Sequence, residues 1–160
     1  MRVGVPTEIK DHEDRVGLVP SSVAELVHHG HEVLVEHDAG LGAGLGDDQY
    51  VSAGARIVAT AEEVFASSDM IVKVKEPQPG EIKMLRPEHT LFTYLHLAAD
   101  HDQTKGLVKS GATCIAYETV TNARGGLPLL APGFAAAQPA NRVRTVGVTF
   151  ANVGTDPEAQ

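Results

Sequence analysis

Tryptophan is absent, and the aromatic complement is three tyrosines and four phenylalanines, so a core has to be assembled from valine, leucine, alanine and isoleucine. Small apolar side chains of that kind suit an α/β sheet. Cysteine is nearly absent too. Cys114 stands alone in the apolar run from Ala112 to Ala116, which excludes a disulfide framework and a cysteine-rich metal site and fits a reducing compartment. No apolar run approaches the roughly 20 residues needed to cross a bilayer. The start, Met1-Arg-Val-Gly-Val-Pro6, carries no apolar signal region, so the expectation is a cytoplasmic protein. Positive charge is in short supply: 13 Lys and Arg against 21 Asp and Glu leave a formal net charge of -8, which argues against nucleic acid or an anionic membrane as partner.

What is present is an alternation. The 160 residues suffice for one domain with a real core. Strand-like apolar runs at Arg2 to Val5, Glu32 to Glu36, Ala55 to Val58, Asp69 to Lys75, Thr90 to His96 and Ala112 to Tyr117 are separated by helix-like stretches. Two of these stretches open with capping-box spacing, Ser22-Val-Ala-Glu25 and Thr60-Ala-Glu-Glu63. The first closes at Gly30; shorter helices are expected at Asp47 to Ala53, Glu81 to Leu85 and Asp102 to Lys109. This order predicts a mostly parallel open α/β sheet of about five to seven strands with flanking helices. From Thr119 the periodicity fades. Residues 133–160 read as an irregular, poorly structured tail with a possible short strand at Val143 to Phe150, so the domain is placed at 1–132.

In open parallel sheets small molecules bind beyond the carboxyl ends of the strands, which makes Lys73, Lys75, Tyr94 and His96 candidates for one pocket. The charged loop after the first strand opens onto the same edge. Its Arg15 offers a planar fork suited to a carboxylate. Arg15 and Lys75 together can hold an α-carboxylate and polarise the adjacent carbonyl, and the imidazole of His96 belongs to the side chain best able to exchange a proton near neutrality. That combination suits an α-keto or α-amino acid. Two other patterns carry less. His28, His29 and His31 point in different directions at a helix end and make a poor metal cluster. Gly40-Leu-Gly-Ala-Gly-Leu-Gly46 lacks the spacing of a dinucleotide fingerprint, and Asp47-Asp48 would repel a pyrophosphate, so it reads as a glycine-permitted turn.

Several motifs in order resemble the N-terminal region of the alanine dehydrogenase and nicotinamide nucleotide transhydrogenase family. They are Gly4-Val-Pro-Thr-Glu8, Glu13-Asp-Arg-Val16, Lys73-Val-Lys-Glu-Pro77, Phe92-Thr-Tyr-Leu-His-Leu-Ala-Ala99, Ala116-Tyr-Glu-Thr-Val120 and Leu127-Pro-Leu-Leu-Ala-Pro132. The alanine dehydrogenase branch fits better, because the transhydrogenase lacks the Tyr-Leu-His and Tyr-Glu-Thr-Val pattern. The resemblance implies a Rossmann- or flavodoxin-like fold and a cytoplasmic, usually homo-hexameric enzyme. That enzyme converts L-alanine, NAD and water to pyruvate, ammonia and NADH. It further implies that Arg15 and Lys75 bind substrate, that His96 is the catalytic acid and base, and that Tyr94 and Glu8 form pocket wall. His12, Gly17 and Val19 depart from the family's usual residues without removing a functional group.

The larger departure follows Pro132, where the family continues into a Rossmann domain and this chain reads Gly133-Phe-Ala-Ala-Ala-Gln138 and ends at Gln160. The expectation is a truncated member that lacks the NAD domain and does not bind NAD alone. Two readings compete: the substrate-binding part of an alanine dehydrogenase, and a catalytically silent module that binds small α-keto or amino acids or a partner protomer.

Overall fold

The computed structural model describes residues 1–127 and Leu129. Six strands, β1 (Arg2–Val5), β2 (Glu32–Glu36), β3 (Arg56–Val58), β4 (Met70–Val72), β5 (Thr90–Thr93) and β6 (Thr113–Ala116), form one sheet in the order β3-β2-β1-β4-β5-β6. Every pairing is parallel. Between them run α1 (Pro20–His28), α2 (Asp47–Ser52), α3 (Ala61–Ser67), α4 (Pro79–Ile82) and α5 (His101–Ser110). Among the described residues no helix is long and apolar enough to cross a membrane.

The sheet is covered on both faces, which is why its strands read as nearly continuous apolar runs. Alternation along each strand divides the core in two. Val3, Val5, Val33, Val35, Val72 and Phe92 point to one face and pack with Val23 and Leu26 of α1 and Tyr50 of α2. Leu34, Ile71 and Leu91 point to the other, against Val64 and Phe65 of α3 and Leu107 of α5. Gly4 belongs to this second face, where a Cβ would lie 2.3 Å from Ser68 Oγ and 2.6 Å from Val64 Cγ1. The missing side chain lets α3 press onto β1. Gly4→Ala is therefore expected to cost about 1–3 kcal/mol through overpacking. The urea midpoint should fall at unchanged slope; an unchanged midpoint would mean that α3 rides outward freely.

Boundaries differ from expectation where local chemistry overrides the pattern. Helix α1 starts at Pro20 rather than at the Ser22 capping box, with Val19 extended and no side-chain cap. Proline has no N–H to leave unpaired and a helical φ, so it seats the first turn by itself. Helix α4 likewise starts earlier than expected, at Pro79, where the Gln78 N–H donates to Glu81 Oε2 at 2.7 Å. Strand β5 stops at Thr93, three residues before its expected end, for reasons that belong to the site. The expected strand at Val143 to Phe150 and the tail from Gly133 lie outside the described residues.

The chain winds outward from β1 to β3, then returns to the other side of β1 as β4 and continues to β6. The reversal leaves a crevice beyond the carboxyl ends of β1 and β4.

Candidate active site

At that edge a buried ion cluster ties the loop after β1 to the stretch that runs from β4 into α4. Lys73, directly after β4, is 2% exposed; Glu8, in the loop after β1, is 8% exposed, and Glu81 of α4 is 2% exposed. Lys73 Nζ donates to Glu8 Oε2 at 3.1 Å. Glu81 Oε1 approaches the same nitrogen to 2.8 Å, an ion pair poorly aligned for a hydrogen bond. Glu8 Oε1 accepts the Val74 N–H at 2.6 Å. Burial pushes the Glu8 carboxyl above its ordinary range, against the opposing pull of Lys73 and the Val74 N–H, with the second carboxylate of Glu81 adding to the rise. Lys73 is thus not a pocket residue, as its place at a strand end suggested, but a strut. Its ammonium cannot be left unpaired in the interior, and two carboxylates have been brought to it. Glu8, expected as pocket wall, is itself buried and is bonded to the Val74 peptide.

Arg15 lies on the same loop as Glu8. Its Nε donates to Glu13 Oε1 and its Nη2 to Glu13 Oε2, both at 2.6 Å, and the Arg15 N–H adds a 3.1 Å bond to Oε1. Burial works against the Glu13 carboxylate, but the bonds and charge of Arg15 outweigh it and hold the carboxyl below its ordinary range; Lys75 adds to the effect. The glycine run supports this loop rather than a phosphate. A Cβ on Gly42 would touch the Asp14 backbone at 3.0 Å, and one on Gly40 would meet Leu45 O and the Tyr50 ring at 2.7 Å. Tyr50 in turn donates its hydroxyl to Leu18 O at 2.9 Å.

Lys75 is half-buried, and its Nζ stands 5.4 Å from the centroid of the Tyr94 ring. No carboxylate lies within ion-pair distance of it among the described residues. The Tyr94 ring lies 5.7 Å from that of His96 and 6.1 Å from that of Tyr117. Tyr117 donates its hydroxyl to Val74 O at 2.7 Å, and burial pushes that phenol well up, against the charge of nearby Arg15. His96 itself, three residues past the end of β5, sits in the left-handed region at φ 49, ψ 42. Such a conformation costs a non-glycine residue about 1–3 kcal/mol and persists only where neighbours impose it. Here Glu118 imposes it, accepting the Leu95 N–H at 3.1 Å and the His96 N–H at 2.9 Å. The backbone turn leaves His96 exposed beside Tyr94.

Lys75, Tyr94, His96 and Tyr117 thus share one cluster, with Arg15 within electrostatic reach of Tyr117. A family model described as alanine dehydrogenase/PNT, N-terminal domain, matches residues 4–137. The chain belongs to that family. It is 55% identical over 132 residues to the alanine dehydrogenase of Halomonas elongata, a match covering 82% of this chain and 36% of the relative. A solved L-alanine dehydrogenase superposes with a TM-score of 0.80 at 52% identity, covering 82% of this chain and 36% of that one. The transhydrogenase from Sinorhizobium meliloti follows at a TM-score of 0.72 and 30% identity, covering 78% of this chain and 37% of that one. The chain therefore spans about a third of the length of these relatives.

The described residues do not fit the NAD that alanine dehydrogenase resemblance implies. A parallel sheet of this topology cradles a pyrophosphate on a glycine turn after β1. Here the loop after β1 carries Glu8, Glu13 and Asp14, and the glycine run follows β2 instead. Asp47, at the end of that run, is engaged with His37 Nδ1 at 2.6 Å and with the Asp38 N–H at 3.0 Å. His37, Asp38 and Asp47 stand close enough to share a cation, yet both ring nitrogens of His37 already face a carboxylate. A separate cleft of about 740 Å³ opens between α4 and α5, lined by Lys10, Glu76, Lys83, Gln103 and Lys109 among others; Arg15, Lys75, Tyr94 and His96 stay outside it.

Sequence reasoning missed Glu13, Tyr117 and Glu118. Tyr117 and Glu118 follow β6 directly and could have been found by extending to that strand the argument made for the others. Glu13 carries no such signal, since one acid among several in a charged loop looks solvated.

Proposed function

We propose that this chain is the substrate-binding part of an L-alanine dehydrogenase and that it takes pyruvate or L-alanine at the Arg15, Lys75, Tyr94 and His96 cluster. The observation that carries this reading is Lys75: a half-buried ammonium over the Tyr94 ring, which itself neighbours His96, with no carboxylate within ion-pair distance among the described residues. A cation in that state is completed by an incoming carboxylate. In this reading Arg15 and Lys75 hold the carboxylate, and Lys75 also draws density from the adjacent carbonyl oxygen. His96 gives a proton to that oxygen as ammonia adds to the carbonyl, and in the reverse direction takes one from the carbinolamine hydroxyl as ammonia leaves and the carbonyl re-forms. Tyr94 keeps Lys75 in place and closes the wall on the methyl side. Glu8 and Lys73 keep the Val74 peptide still behind it. The chemistry these residues supply is binding, polarisation and proton exchange; NAD supplies the hydride acceptor in the family's reaction.

Saturation-transfer NMR with pyruvate tests the reading. The parent chain should bind pyruvate weakly, and Lys75→Ala should lower the affinity by about tenfold or more, the worth of a charge-assisted hydrogen bond. Equal binding by the two proteins would remove Lys75 from the site. A catalytically silent binding module is the second reading, favoured by the poor fit of the described residues to a dinucleotide. Alanine-dependent reduction of NAD by the purified chain separates the two, since only the enzyme reading survives turnover.

A further inference from the structure

Arg15 does not lie free at the site. Its guanidinium has five N–H donors. Glu13 occupies the edge formed by Nε and Nη2, with two bonds of 2.6 Å, while its carboxylate is only 7% exposed. Among the described residues no partner is recorded for the second Nη2 hydrogen or the Nη1 hydrogens, and one from each nitrogen makes the end-on fork, which adjoins the Glu13 edge in the same plane. A guanidinium held rigidly on one edge presents a pre-aimed fork on the adjoining one, and less freedom is lost when a ligand arrives. The charges agree with this geometry. Arg15 and Lys75 both act electrostatically on Glu13, and the three sum to +1, the complement of one α-carboxylate, whereas the two cations alone would sum to +2 and repel each other.

We infer that Glu13 is the positioning residue of the substrate site: it clamps one edge of Arg15 so that the adjoining end-on fork receives the substrate carboxylate. The inference rests on the substrate-site reading above. The opposite role, a resident anion that competes with substrate for Arg15, makes the contrary prediction and is the alternative to beat. A competitor's removal tightens binding, and a clamp's removal loosens it.

The test is a pyruvate titration by saturation-transfer NMR on the parent chain, Glu13→Gln and Arg15→Ala, each at low and high salt, with pyruvamide as the uncharged counterpart of pyruvate. Glutamine keeps the shape but cannot accept two charge-assisted bonds at once. The expected result is a roughly five- to twentyfold loss of pyruvate affinity in Glu13→Gln at both salt concentrations, although its net site charge has become more positive, with pyruvamide unaffected. A merely structural role would lower pyruvate and pyruvamide binding alike. Equal or tighter pyruvate binding by Glu13→Gln, with Arg15→Ala still impaired, overturns the clamp and leaves the substrate site standing. Failure of the parent chain to bind pyruvate, or equal binding by Arg15→Ala, overturns both.

Discussion

Lys73→Met loses about 3–5 kcal/mol of stability, because it strands Glu8 and Glu81, two carboxylates almost wholly removed from water, around an apolar side chain. That is a large share of the roughly 5–15 kcal/mol by which a domain of this kind is stable. The loss should depend on pH. In the parent, burial already raises the Glu8 carboxyl above its ordinary 4.5, and Lys73 is the main group pulling it back. Without Lys73 the folded carboxyl rises further, so the folded variant holds its proton at a pH where the unfolded chain has released one. A group whose folded pKa lies above its unfolded value contributes stability that is full below 4.5 and is lost as pH rises through the folded value. The gap in urea midpoint between parent and variant should accordingly widen from pH 5 toward pH 8, a range chosen to span about three units above the ordinary carboxyl value. The triple variant Lys73→Met, Glu8→Gln, Glu81→Gln should recover most of the loss, since a fully neutral cluster strands no charge. If the triple variant is no more stable than the single one, the three residues do not act as an ion cluster.

Arg15→Ala should weaken pyruvate binding by about a hundredfold or more, enough to remove a weak signal altogether, while His96→Ala costs less than about threefold. Two charge-assisted hydrogen bonds from one guanidinium edge are together worth roughly 3–5 kcal/mol in a partly shielded site. The side chain of Arg15 is 26% exposed, which places the expectation at the lower end through solvent screening. His96 is exposed, and its proposed work is moving a proton, a contribution felt in the transition state more than in the bound ground state. Titration of both variants by saturation-transfer NMR, with urea unfolding to confirm that each is folded, decides the matter. Comparable losses in the two would mean that the histidine grips the ligand directly. No loss in Arg15→Ala would move the carboxylate site elsewhere.

The parallel sheet was legible in advance because its evidence is local and repeated: valine-rich runs of strand length recur at crossover spacing, and β1 and β2 lie where the pattern put them. The edge of the sheet was less legible. Lys73 and Lys75, two residues apart, belong on the same side of an ideal strand, and by pattern alone they are equivalent. The ladder ends at Val72, and beyond it Lys73 is buried in the interior while Lys75 is half-buried over the Tyr94 ring. The 94–96 segment shows the same limit, since Tyr94-Leu-His96 has strand composition but is pulled out of the sheet by the Glu118 carboxylate.

By itself the sequence determined the α/β class, the number and order of the early elements, and the presence of Lys75, Tyr94 and His96 just past strand ends, with Arg15 in the loop after the first strand. Those properties follow from residue type and spacing, which act over a few neighbours. Only the tertiary structure decided that Lys73 is a strut between Glu8 and Glu81, that Glu13 holds one edge of Arg15, and that Tyr117 links the Val74 peptide to the Tyr94 ring. Two of these bonds, Lys73 to Glu8 and Tyr117 to Val74, join groups 65 and 43 residues apart along the chain. Desolvation selects such partners, since a charge carried into the interior must meet whatever opposite charge the fold brings beside it, and no local pattern records which one that is.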